Sequence, residues 1–316
     1  MVTEKGSMQS NLECFLNCTT PIVPSRFLPK SALRNNFSQL WNPWERETIE
    51  YFTLGDLWSC YDEWSAYGVG VPITLNKQET VVQYYVPYLS AIQIFTSNTF
   101  VGNFREDSVT GDSETRDSFS DTCSDETESE KSWKWEGGSS HDSSVEQERV
   151  WNQNDRLGYL YFQYFERSTP YGRVPLMDKV NCLARRFPGL MTLKSIDLSP
   201  ASWMAVAWYP IYHIPTGRTV KDLSACFLTF HTLSSTFQDS SAEQELCLVE
   251  RMRRKGVTLS PFGLATYKMQ GSVWVSGENG QDEEKLVSLY SAADSWLKQL
   301  GAQHHDFNYF TGIRYG

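Results

Sequence analysis

Cys14 and Cys18 stand at a spacing that suits half of a tetrahedral zinc site, whose shell thiolates and imidazoles would complete. No second pair follows at a suitable distance, and adjacent side chains diverge in the doublet His304-His305. Buried or surface thiols are therefore the expected role, and no metal ligand is assigned. Asp197, Ser199, Ser202 and His213 supply the residue types of a nucleophile, base and acid. Cys182 or Cys226 with His213 or His231 supply those of a thiol–imidazole pair. Both mechanisms need hydrogen-bonded geometry, which nearness in sequence does not provide. There is no Gly-x-Ser-x-Gly elbow. His231 lies in a strand-like run, where a histidine satisfied by its neighbours is the commoner outcome. No glycine-rich phosphate loop is present either, and Gly68-Val69-Gly70 serves better as a helix stop and turn. No catalytic residue and no cofactor follows from these patterns.

The charges are unevenly placed. Residues 103–150 hold 14 Asp and Glu against 5 Lys and Arg, a local net of −9 out of a total of −10. The rest of the chain carries 24 acids and 23 bases and is nearly neutral, so no basic field exists to hold nucleic acid. One compact basic cluster, Arg251, Arg253, Arg254 and Lys255, has the form of an import signal or phosphate contact. A solvated helix end is the preferred reading of it. Arg167, Arg173, Arg185, Arg186 and Lys194 would receive an acidic partner if the fold gathered them. Within the acidic segment, Ser118, Thr122, Thr127, Ser139 and Ser143 each precede an acid by three residues, the context that acid-directed kinases read. Phosphate would add up to about two negative charges per site. Trp133 and Trp135 stand isolated among acids as short docking residues. The segment is either a plain solvating loop or one that meets basic groups, on this protein or a partner, under phosphorylation control.

The elements that must position these groups follow from composition and periodicity. The 316 residues are 40% hydrophobic and 14% aromatic, including 11 Trp, 16 Tyr and 17 Phe, which predicts a thick aromatic interior. No basic stretch with a long apolar run opens the chain, so no secretory signal is expected. The most apolar run, residues 203–209, is broken by Pro210 and falls far short of the roughly 20 residues a membrane helix needs. Seven scattered cysteines with no export signal read as reduced thiols in a soluble cytoplasmic or nuclear protein.

Pro21, Pro24 and Pro29 predict that residues 1–30 form an extended arm laid over the core. A short helix is expected at 31–41. Thr53-Leu54-Gly55-Asp56 has capping-box spacing, and Leu54, Leu57, Trp58, Tyr61 and Trp64 then recur at helical intervals up to a stop at Gly68. Residues 80–95 predict a strand whose buried parity is Val82, Tyr84, Val86, Tyr88, Ile92 and Ile94, broken or bulged at Pro87. Residues 103–154 cannot bury enough apolar surface to offset ordering entropy and are expected to be disordered. Further strands are expected at 157–165, at 203–209 as a central strand covered on both sides, at 225–233, at 262–270 and at 272–275. Helices are expected at 175–187 and 282–300, and the aromatic tail Phe307, Tyr309 and Phe310 packs back on the core. Neither half is self-sufficient. The expected architecture is one discontinuous α+β domain, 31–102 plus 155–316, with a mixed, mainly antiparallel sheet flanked by helices.

Several stretches resemble a known plant family. They are the arm Ser10-Asn11-Leu12-Glu13-Cys14-Phe15-Leu16 with Thr20-Pro21-Ile22-Val23-Pro24, and Tyr51-Phe52-Thr53-Leu54-Gly55-Asp56-Leu57-Trp58. With them go Tyr164-Phe165-Glu166, Pro170-Tyr171, Arg173, Pro175-Leu176 and Ser199-Pro200-Ala201-Ser202-Trp203. The family is domain of unknown function 789, and the resemblance covers nearly the whole chain outside the acidic segment. It implies a land-plant protein and brings no reaction, ligand or catalytic residue. The expected role is a non-enzymatic interaction or regulatory protein with protein partners. The alternatives are an enzyme or small-molecule binder with an aromatic-lined pocket, and a nuclear nucleic-acid-associated factor.

Overall fold

The computed structural model describes residues 9–29, 48–76, 79–96, 157–211, 224–235, 256–275 and 280–312. The expected helix at 31–41, the acidic segment with its five kinase sites and two tryptophans, His213, and the basic cluster at 251–255 lie outside the described residues.

The chain enters through a helix, α1 (Asn11–Thr19), which corrects the expectation of an arm extended throughout. Ser10 caps it by accepting from the Glu13 backbone N–H, and Leu12, Phe15, Leu16 and Thr19 recur at helical spacing on its buried face. The prolines act only after it, where β1 (Ile22–Val23) and β2 (Arg26–Pro29) are extended. β3 (Thr48–Tyr51) pairs with β2. The capping box forms as its spacing requires, with Thr53 and Asp56 exchanging side-chain and backbone bonds at the start of α2 (Leu54–Ser59). The expected single helix is interrupted at Cys60 and Tyr61 and resumes as α3 (Asp62–Tyr67), ended by Gly68 at φ 77°.

β4 (Val69–Asn76) and the 18-residue β5 (Glu79–Thr96) form an antiparallel hairpin. β6 (Tyr159–Phe165) pairs with the last part of β5. Helices α4 (Leu176–Arg186) and α5 (Gly189–Thr192) lead to β7 (Trp203–Pro210) and β8 (Cys226–Thr232). Next come β9 (Val257–Thr258), paired with β1, and β10 (Gly263–Tyr267). A helical turn, α6 (Gly271–Trp274), takes the place of the strand expected at 272–275. Helices α7 (Gln281–Leu300) and α8 (His305–Thr311) follow. The main sheet runs β10-β8-β7-β5-β4, with β6 on β5, and each described pairing is antiparallel.

At β7 both faces of this sheet are covered. On β7, Met204, Val206 and Trp208 join the core formed with α1 to α6, while Trp203, Ala205 and Ala207 face α7 and α8. This is the two-sided burial that its continuous apolar run predicts. The α+β class therefore holds.

β5 departs from expectation twice. Its first half buries the opposite parity: Tyr85 and Leu89 lie in the core, whereas Val82 and Tyr84 are 52% and 37% exposed. The helices of the α1 side cover the odd residues here, and α7 and α8 sit over β8 and β10 instead. Pro87 causes no break, because it falls between the stretches of β5 that pair with β4 and with β6, where a donor is not needed. The irregularity comes at Ser90. Leu89 pairs with Val206 and Ala91 with Ala205, leaving Ser90 as the extra residue of a bulge.

One edge of the sheet is closed by a side chain. The Asn11 amide accepts from the Thr74 N–H at 2.8 Å and donates to the carbonyls of Thr74 and Val273 at 2.8 and 2.7 Å. It thereby imitates a further strand on β4 and ties α1 to β4 and α6.

Candidate functional site

The bulge re-aims Ser90 into a buried polar cluster. Ser90 Oγ donates to Asp306 Oδ2 at 2.5 Å and lies 2.9 Å from His304 Nε2. Asp306 also takes a two-pronged bond from the Arg173 guanidinium, both nitrogens at 2.7 Å, with the two side chains only 4% and 6% exposed. The other side of the guanidinium donates twice to the Ser168 carbonyl. Burial opposes the Arg173 charge, but the hydrogen bonds and attraction of Asp306 prevail and hold its pKa above the ordinary value. The residues come from the β5 bulge, the loop after β6 and the first turn of α8, which favours a carboxylate at its positive end. A second carboxylate lies close by. Glu166 accepts from Tyr164 Oη at 2.6 Å and from the backbone N–H groups of Arg167 and Ser168, with Lys179 at 3.7 Å. Burial raises its pKa, and these bonds together bring it below the usual carboxylate range.

Serine, histidine and aspartate invite comparison with a catalytic triad, and the wiring excludes it. In a triad the histidine takes the serine proton while the aspartate holds the other ring nitrogen. Here the Ser90 proton goes to Asp306, so His304 Nε2 carries hydrogen and donates to Ser90. His304 Nδ1 has no partner among the described residues. The histidine cannot serve as base toward this serine, and Ser90 itself is wholly buried. The cluster is a staple joining three distant segments.

The residues singled out from sequence are dispersed or satisfied. Ser202 bonds both backbone groups of Phe95, and Ser199 bonds the Ala201 N–H. Asp197 is held above its ordinary pKa by burial. His231 is bonded at both ring nitrogens, to the Leu259 carbonyl and to Thr229 Oγ1, each at 2.9 Å. Burial pushes the Cys226 thiol up to about 12 and Cys60 to about 11, which suppresses thiolate. His304 is buried and its neighbour His305 exposed, so the doublet points two ways. No group of three or more metal-ligating side chains occurs among the described residues. Of the expected basic surface, Arg167, Arg185 and Arg186 are exposed, Arg173 is paired internally, and Lys194 lies over the Tyr51 ring. Sequence reasoning missed Ser90 and Asp306 altogether. They are 216 residues apart, and a serine within an apolar strand run is the one local hint.

The two buried histidines make stability depend on pH. Burial lowers both His231 and His304 from 6.5 to about 4. At His304, Asp306 partly offsets the burial, while Arg173 reinforces it. Above pH 6.5 both are neutral whether folded or unfolded. As pH falls from 6.5 toward 4, the unfolded chain binds protons that the folded chain refuses. Stability then drops by up to about 1.4 kcal/mol per pH unit per histidine, roughly 3 kcal/mol each before levelling off. Urea midpoints measured between pH 7.5 and 4 should show this slope, and His231→Gln or His304→Gln should flatten it. An unchanged slope in both variants would refute the assignment.

The fold and site define an α+β domain with an internal ionic staple. A family model described as "Protein of unknown function (DUF789)" matches residues 10–310, and the chain belongs to that family. No curated protein and no solved structure matches it. No helix among the described residues is long and apolar enough to cross a membrane.

Proposed function

We propose that this chain is a non-catalytic interaction protein of plants, which presents fixed surfaces to protein partners in the cytoplasm or nucleus. Its acidic segment at 103–154, modified by an acid-directed kinase at Ser118, Thr122, Thr127, Ser139 and Ser143, regulates that binding. The observation that carries the reading is the wiring of Ser90, His304 and Asp306, where the residue types of a catalytic triad are buried and bonded so that His304 does not take the proton of Ser90. Added phosphate would steepen a charge already concentrated in one stretch and change its fit to a basic partner. The test is affinity purification from plant tissue of the full chain, of a form lacking 103–154 and of a form with all five sites changed to Ala. Loss of specific partners in the altered forms supports the proposal; identical partner sets refute it.

A second reading, a small-molecule binder, has one observation in its favour. Tyr61 Oη and Trp274 Nε1 are buried without partners among the described residues, within the aromatic cluster around Phe15 and Trp208. Native mass spectrometry of protein purified from plant tissue would reveal a retained molecule.

A further inference from the structure

Four prolines of the sequence follow a hydroxyl residue, in Thr20-Pro21, Thr169-Pro170, Ser199-Pro200 and Ser260-Pro261. Such a pair is what proline-directed kinases read. The proline brings no backbone N–H to be left unpaired in an apolar pocket, and it holds the residue before it extended.

The fold withdraws three of the four. Ser199 is wholly buried and bonded to the Ala201 N–H. Thr20 is half-buried at the end of α1, and its hydroxyl donates to the Leu16 carbonyl at 2.6 Å. Ser260 is exposed, but it lies between β9 and β10 with both flanks tied down. The Leu259 N–H donates to the Pro21 carbonyl, and the Phe262 N–H to the Phe230 carbonyl. A kinase cleft takes several residues on each side of the acceptor, so Ser260 must first be peeled from its neighbours.

Thr169 meets the requirement as folded. It is exposed, as are Arg167, Ser168, Tyr171 and Gly172, with Pro170 half-buried. Its backbone is extended, at φ −63° and ψ 154°, and its side chain makes no capping bond to the turn Pro170–Gly172. Among the described residues, the hydrogen bonds of 167–172 stay within 166–173. The Arg167 and Ser168 N–H groups donate to Glu166, the Gly172 N–H to the Thr169 carbonyl, and Arg173 to the Ser168 and Pro170 carbonyls. The stretch therefore enters a cleft without opening a strand or a helix. Arg173, fixed by Asp306, holds it in that form.

We propose that Thr169 is a phosphorylation site for a proline-directed serine/threonine kinase. The γ-phosphoryl group of ATP passes to Thr169 Oγ1. The bond from the γ-phosphorus to its bridging oxygen breaks as the new P–O bond forms, the hydroxyl proton goes to the kinase's carboxylate base, and ADP leaves. Residues 167–172 carry one charged side chain, Arg167, and the phosphate takes their own charge from +1 to about −1. This mark sits on the folded surface and belongs to a different kinase class from the one that reads the acidic segment. It does not depend on that reading.

The test compares the full chain with four synthetic peptides, each centred on one of the four pairs. A cyclin-dependent and a mitogen-activated protein kinase are supplied with Mg-ATP, and each site is followed by mass spectrometry. Thr169 in the folded chain should react within about twofold of the rate of its peptide. Thr20, Ser199 and Ser260 should each lag their peptides by about tenfold or more, since local opening must come first. Thr169→Val should abolish labelling of 167–173, which separates Thr169 from its neighbour Ser168. Protein isolated from plant tissue with phosphatases blocked should carry phosphate at Thr169. An unreactive Thr169 peptide, a protected Thr169 in the folded chain, a Ser260 as reactive as its peptide, label persisting on Ser168 in the variant, or a bare Thr169 in tissue protein would each overturn the proposal. None of these measurements involves removing 103–154, so failure here leaves the test of the broader reading intact.

Discussion

Asp306→Ala should destabilise the protein by about 3–5 kcal/mol, the cost of leaving a buried guanidinium without its counter-charge. Arg173 keeps its bonds to the Ser168 carbonyl in that variant, but both nitrogens facing Asp306 lose an acceptor at 2.7 Å. Ser90 Oγ loses its acceptor as well. Arg173→Met alone should cost a similar amount, because the carboxylate is then stranded. The double variant Arg173→Met with Asp306→Leu should be far less damaged than the sum of the single changes, since neither charge remains buried. Urea unfolding of the four proteins gives the coupling energy directly. Additive costs would show that the pair is not a unit, and a cost below about 1 kcal/mol for Asp306→Ala would place it on the surface.

Phe15→Ala should cost about 3–5 kcal/mol, as for a large aromatic side chain removed from a closed core. Phe15 stacks on Phe227 at 3.9 Å between ring centroids and meets Tyr85, Trp208 and Trp274 edge-on at 5.2, 6.2 and 6.3 Å. It is wholly buried, and Asn11 one turn earlier anchors the same helix to β4 and α6. An arm merely laid over the core would lose far less, because the surrounding side chains could close the gap. A shift in urea midpoint worth less than about 1 kcal/mol would restore that simpler picture.

Local signals served well where one turn of chain decides the outcome. Thr53 and Asp56 cap α2, Gly68 ends α3, and Leu176 and Val180 are the buried positions of α4. The same kind of signal was available for α1, in Ser10 and the spacing of Leu12, Phe15, Leu16 and Thr19, and the nearby prolines masked it. At residues 272–275 an apolar run too short to distinguish strand from helix became a helical turn that buries Trp274.

The residues by themselves determined that this chain builds an aromatic α+β core, that β7 lies at its centre, and that nearly all of its net negative charge falls in one segment. Tertiary structure alone decided which parity of β5 is buried, that the strand slips at Ser90 and not at Pro87, and that Ser90 meets His304, Asp306 and Arg173. The physical reason is range. Capping, turns and periodicity act over a few bonds and are written where they act. Which face a helix covers, and which charges share a dry interior, depend on segments more than two hundred residues away, and no local pattern records them.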